Sequence, residues 1–171
     1  MERKKIVLDA DVLIHFAKAG YLNVLPSILP EYEHIVLSVV YDEVRSIQQQ
    51  LDNQIEYLKN LRKLQFEPTR EMRREYAMLT SRFGRGESAC MAYCKFTDDV
   101  IGSSNLKDIQ DYCNSNDIKY LTTLDFLHYA YCRKILTKEQ CNEFITAVRE
   151  KGSKLPLVDI ATYNPRGRCA V

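Results

Sequence analysis

The stretch Ile6-Val7-Leu8-Asp9-Ala10-Asp11-Val12-Leu13-Ile14 constrains this chain more than any other. A short apolar run without alternation ends in two carboxylates at i and i+2. A second run with helical spacing (Val12, Leu13, Phe16, Ala17) begins at once and stops at Gly20. The order reads strand, acidic turn, helix. A strand apolar on both faces belongs in a parallel sheet with helices above and below it, and such sheets bind ligands outside the carboxyl ends of their strands. Asp9 therefore stands where open α/β sheets do chemistry, and Asp11 can cap the following helix. Both aspartates can also be read as turn and cap residues, although a cap needs only one carboxylate.

Strands and helices continue to alternate. Residues 21–29 carry a short helical pattern ended by Pro30, and residues 35–37 a compact strand. Ser38 then caps a helix bearing Val39, Val40, Glu43, Val44 and Ile47. Val40, Glu43, Val44 and Ile47 share one stripe, which sets a carboxylate on the core-facing side. Because a buried unpaired carboxylate is expensive, Glu43 either reaches the sheet edge to meet a cation or lies at the margin of the stripe. Residues 51–64 read as an amphipathic helix and 65–66 as a short strand, while Thr69 opens a charged helix to about residue 83. The helical insert at about 51–83 supplies little core and suits a lid, a substrate wall or a dimer surface. Gly84 and Gly86 break that helix. The next one has Glu87 in its first turn, where it can simply favour the helix dipole, and Ser88, Ala89 and Ala92 allow close approach to the sheet. Residues 100–103 form a strand, from which Ser104-Asn105-Leu106-Lys107-Asp108 turns into another helix, with Asn105 and Asp108 spaced like a cap. A strand at 119–121, a helix at 124–135 capped by Thr122 or Thr123, and a final helix with a Thr137/Gln140 capping box complete a single domain over residues 1–152. Residues 153–171, with Pro156, Pro165 and Gly167, form an extended or disordered C-terminal tail.

With 24 basic against 23 acidic residues the net charge is +1, so nucleic acid would be drawn only by a local patch. Arg70, Arg73, Arg74, Arg82 and Arg85 could form a phosphate-facing stripe, or a solvated helix face. Six cysteines without a Cys-x-x-Cys pair suit a reduced, cytoplasmic protein. Cys90 and Cys94, one turn apart, lack the further partners a metal site needs. The basic start is followed by an apolar segment broken by Asp9 and Asp11, and no stretch approaches the length of a membrane span. Glycine-rich phosphate loops are also missing, which argues against an ATPase or dinucleotide enzyme.

Asp9, Glu43, Glu87 and the Asn105/Asp108 pair each follow a strand's carboxyl end or lie on a helix near one, and right-handed crossovers would gather them in one crevice. Carboxylates unaccompanied by cationic side chains suit Mg2+ or Mn2+ with water completing the octahedron. Such an ion can activate water and neutralise charge on a phosphodiester. In residues 6–14, Val39 to Val44 around Glu43, Gly86-Glu87-Ser88-Ala89 and Ile101 to Asp108, the chain resembles the PIN-domain ribonucleases, which include toxins of toxin–antitoxin pairs. The resemblance implies a three-layer α/β/α sandwich with a mostly parallel sheet. It also implies a Mg2+ or Mn2+ site built by Asp9, Glu43 and Glu87. Many members carry an aspartate directly after the fourth strand, where this chain has Ser104-Asn105, so either Asp108 is the fourth acid or the site has three. Asp9, Glu43, Glu87 and Asp108 are then the catalytic and metal-binding residues, and Asn105 a further ligand. The expected substrate is RNA, and the expected protein partners are an antitoxin and a second copy of the chain. The competing expectation is a non-catalytic PIN-like module that binds RNA or protein. A phosphoryl-accepting receiver domain would need an aspartate ending the third strand and a lysine ending the fifth, and neither is evident.

Overall fold

The computed structural model describes residues 2–165. Its centre is β1 (Lys5–Leu8), buried along its whole length, as an unalternated apolar run in a covered parallel sheet should be. β2 (Glu33–Leu37) and β3 (Arg62–Leu64) lie to one side, β4 (Val100–Gly102) and β5 (Tyr120–Leu121) to the other. The five strands are all parallel in the order β3-β2-β1-β4-β5. The order in which strands are added therefore reverses between β1 and β4, and the crevice of such a sheet opens at that point, at the carboxyl edge.

On one face α1 (Ala10–Ala19), α8 (Thr123–Cys132) and α9 (Lys138–Glu150) pack together. They meet through Phe16, Phe126 and Phe144, whose rings stand edge to face with centroids 6.0 and 4.8 Å from Phe16. On the other face α6 (Arg85–Lys95) lies against β1, β2 and β4, flanked by α5 (Arg70–Thr80) and α7 (Leu106–Ser115). The small residues Gly86, Ala89 and Ala92 give α6 its close approach, and these helices and the sheet form the expected three-layer α/β/α sandwich. Gly102 serves the same end in the sheet, because a Cβ there would come within 2.9 Å of Leu8 Cδ2.

Several local expectations are corrected. The 21–29 pattern is helical only at α2 (Leu25–Ile28). The helix from Ser38 ends early as α3 (Ser38–Glu43), followed by a single 3-10 turn at Arg45–Ile47. Ser38 does not cap it; its Oγ accepts from the Phe66 N–H at 3.0 Å, fastening the segment after β3. Residues 51–64 are not one helix. α4 (Gln48–Asn53) runs into a π turn at Gln54–Leu58, and Lys59 leaves it with φ 52°. The strand then comes at 62–64 rather than 65–66, so the insert at about 51–83 contains an edge strand of the sheet. The capping residues Thr69, Thr122 and Thr137 act as expected, the last two in full capping boxes.

From Ser153 to Pro165 the chain is irregular but not loose. Leu155 and Ile160 are buried, and the Tyr163 hydroxyl donates to Asp125 Oδ1 at 2.8 Å, strapping the segment onto α8. The remainder of the expected tail, with Gly167 and Cys169, lies outside the described residues. Cys90, Cys94, Cys113 and Cys141 are free and buried, and Cys132 is free and exposed. Burial pushes the Cys90 and Cys94 thiols well above their ordinary range, so they pack as apolar groups. Among the described residues no helix is long and apolar enough to cross a membrane.

Candidate active site

Pairing of β1 with β4 continues one residue past Leu8, because the Asp9 N–H donates to the Gly102 carbonyl at 2.8 Å. Asp9 is therefore fixed at the carboxyl edge. It is the N-cap of α1, with Oδ1 accepting from the Ala10 N–H at 2.8 Å. Only 5% exposed, its carboxyl is pushed up to about 7 by burial and then by the charges of Asp11 and Glu43.

Glu87 sits in the first turn of α6, 9% exposed. Burial first, and then Asp9 and Asp108, raise its carboxyl to about 8, against the partial relief of a hydrogen bond from Asn105. Asn105 begins α7 without capping it. Its Nδ2 instead donates to Glu87 Oε1 and to Asp108 Oδ2, at 2.8 Å each. One amide thus spans two carboxylates, whose accepting oxygens lie within twice that distance of each other. The capping reading of Asn105 and Asp108 is set aside by this geometry.

Glu43, at the end of α3, is exposed and forms no ion pair among the described residues. Its Oε1 accepts from the Gly86 N–H at 2.9 Å, one of the amides at the start of α6 left without an intrahelical partner. The fit is close, since a Cβ on Gly86 would collide with the Glu43 carboxylate and crowd Val40. Glu43 thus lies one residue from Glu87 while its charge acts on Asp9.

The site contains more than the sequence suggested. Asp11 does not simply cap α1, because its two oxygens accept from Val12 N–H at 2.7 Å and Ser104 N–H at 2.8 Å, tying α1 to the turn after β4. Burial nevertheless raises it to about 6. Behind Ser104 a consistent donor order runs from its hydroxyl to Thr123 Oγ1 at 2.7 Å and on to His15 Nδ1 at 2.7 Å. Burial lowers His15 to about 4, so it is the neutral end of that chain. The Asp-x-Asp spacing was the one sequence signal pointing at Asp11; His15, standing singly, gave none.

The crevice thus brings together Asp9, Glu43, Glu87, Asn105 and Asp108, all offering oxygen donors. Among the described residues no three His, Cys, Asp or Glu side chains already converge as a metal-holding group. The carboxylates are instead engaged by backbone N–H groups and one amide. Arg70, Arg73, Arg74, Arg82 and Arg85 are all exposed. Among the described residues none forms an ion pair. They are not one stripe: Arg70, Arg73 and Arg74 occupy the start of α5, whose axis is roughly 15 Å long. Arg82 and Arg85 flank the loop that leads into Glu87.

A family model described as a PIN domain matches residues 5–156. No curated protein matches the chain. PIN domains are generally nucleases and typically use divalent metals. That match takes in all five strands and every acid of the crevice, and the chain belongs to the PIN-domain family.

Proposed function

We propose that the protein is a divalent-metal-dependent ribonuclease that hydrolyses phosphodiester bonds at the crevice of Asp9, Glu43, Glu87 and Asp108. The observation carrying this reading is Glu87, buried at the start of α6 and joined through the Asn105 amide to Asp108, where burial and the charges of Asp9 and Asp108 raise its carboxyl to about 8. Such an excess of buried oxygen donors is the chemistry a hard divalent cation takes. When bound, Mg2+ or Mn2+ would lower the pKa of a coordinated water and neutralise charge on the phosphodiester. Asp9 and Glu87 are the residues suited to hold it, with Asp108 and Glu43 at the margin. Asn105 keeps Glu87 and Asp108 apart at a fixed span, and Asp11 holds the turn after β4 against α1, so both orient the acids without using their own charge on substrate. The exposed, unpaired arginines from Arg70 to Arg85 suit an RNA backbone approaching along α5.

The test is cleavage of single-stranded RNA with Mn2+, Mg2+ or EDTA by the wild-type chain and by Glu87→Gln. Cleavage should require the cation and disappear in the variant. RNA binding without cleavage under any cation would instead identify a non-catalytic module. The proposal includes toxin activity with an antitoxin partner, supported by the family resemblance, a dimer, for which the helical insert offers a surface, and a cytoplasmic location, supported by the cysteine pattern. A neighbouring reading frame whose product silences the chain on co-expression would support the toxin role.

A further inference from the structure

We propose that the cleft between the end of α5 and α7 is a subsite for one unstacked nucleotide of single-stranded RNA, with Phe83 as the stacking surface and Arg82 and Lys107 as the phosphate contacts. The proposal rests on the ribonuclease reading above and names where its substrate lies. The cleft encloses about 480 Å3, in the range of small-ligand sites and too small for a duplex. Met78 and Phe83 form one wall, Lys107, Asp108 and Asp111 the other.

Three features favour a nucleotide. First, Asp108 belongs both to this cleft and to the acid crevice, through the Asn105 amide that also holds Glu87. A strand resting in the cleft is thereby led directly to the acids. Second, the Arg82 guanidinium lies over the Phe83 ring at 5.3 Å from its centroid, and Met78 stands 56% exposed on the same wall. Flat cationic and aromatic groups of this kind stack on bases, and a base must leave a duplex to reach them. Third, Arg82 and Lys107 are exposed and form no ion pair among the described residues, so both charges are available to a phosphate. Of the opposing acids, Asp108 is held by Asn105, and Asp111 remains as an acceptor for a 2′-hydroxyl or a base amino group.

The walls are also held in place. The Tyr112 hydroxyl on α7 donates to Glu75 Oε1 on α5 at 2.7 Å, and Lys95 of α6 pairs with the same carboxylate at 2.9 Å. The cleft is thus a built gap between three tied helices rather than a fluctuation of one.

The experiment measures binding of a labelled single-stranded RNA octamer to the full-length Glu87→Gln chain in EDTA, where cleavage is off. Phe83→Ala should weaken binding about 5- to 100-fold, the range for loss of one stacked base. Phe83→Trp should restore it, and a single abasic position in the octamer should reproduce the loss. Arg82→Ala with Lys107→Ala should lower the slope of log affinity against log salt by about 1.4. If Phe83→Ala fails to fold, Met78→Ala and the double charge variant carry the test. Unchanged affinity and salt slope in these variants would overturn the proposal. So would a concentration-dependent dimer abolished by Met78→Ala, which would make the cleft a contact between copies. Cleavage by the wild type with no effect of Phe83 leaves the ribonuclease reading and removes the subsite; the reverse pattern removes the ribonuclease reading and keeps an RNA subsite.

Discussion

Glu87 and Asp9 bind protons more tightly in the folded chain than in the unfolded one, with carboxyls at about 8 and about 7 against ordinary values of 4.5 and 3.8. For an acid raised in this way the stabilisation is complete below the ordinary value and lost as pH rises through the folded one. The metal-free protein should therefore lose stability steadily from about pH 4.5 to 8, at about 2–4 °C of Tm for each kcal/mol in a domain of this size. Glu87→Gln removes one of these ionisations, so in EDTA at pH 8.5 its Tm should exceed that of the wild type. Added Mn2+ should reverse the order. Thermal melts across pH in EDTA check this, and a lower Tm for the variant at pH 8.5 would count against it. At this scale the sequence was informative wherever an acid followed a strand end, as at Asp9, or opened a helix after glycines, as at Glu87. For Asn105 the cap alternative gives way to a bridge between Glu87 and Asp108, and a contact to a residue eighteen positions away is not encoded by local spacing. Asp11 was half read: its tie to Ser104 depends on β4 lying beside β1.

At the scale of elements the start of α6 is the most exacting position. Gly86 is required there by its neighbour rather than by its backbone, since a Cβ would overlap the Glu43 carboxylate that accepts its N–H. Gly86→Ala should cost about 1–3 kcal/mol, as overpacking does, and should impair metal-dependent cleavage by displacing Glu43. In a Glu43→Ala background the same substitution should cost much less, because the two residues touch and their effects cannot add. Chemical denaturation of the two single variants and the double variant measures the coupling; additive effects would show that the clash is absorbed elsewhere. The insert before α6 was the least legible stretch. Arg62-Lys63-Leu64 carries no β-branched or aromatic signal, and it becomes a strand only because Ile35, Val36 and Leu37 offer it an edge. The helix pattern of residues 51–64 likewise gives way where Lys59 turns left-handed and Leu61 is drawn into the core.

For the molecule as a whole, the strap from Leu155 to Tyr163 closes the side of the sandwich formed by α8 and α9. Ile160 is fully buried beneath it, and Ile160→Ala should destabilise by about 2–5 kcal/mol. Denaturation midpoints test this directly, and a loss below about 0.5 kcal/mol would mean the strap contributes little. Composition gave no hint of it, because a segment with a proline and no periodicity reads as loose however it is anchored. The strand order carries a consequence for synthesis. β1 is the first strand made and the middle one of the finished sheet, yet its partner on one side, β4, emerges some ninety residues later. Asp9, Glu43 and Glu87 leave the ribosome before β4, Asn105 and Asp108 after it, and the set of acids is completed only when β4 docks and α7 follows it. A chain interrupted before residue 102 therefore carries Asp9, Glu43 and Glu87 on an unfinished sheet, without Asn105 and Asp108. Such a fragment should have no capacity to cut the messenger from which it is being read.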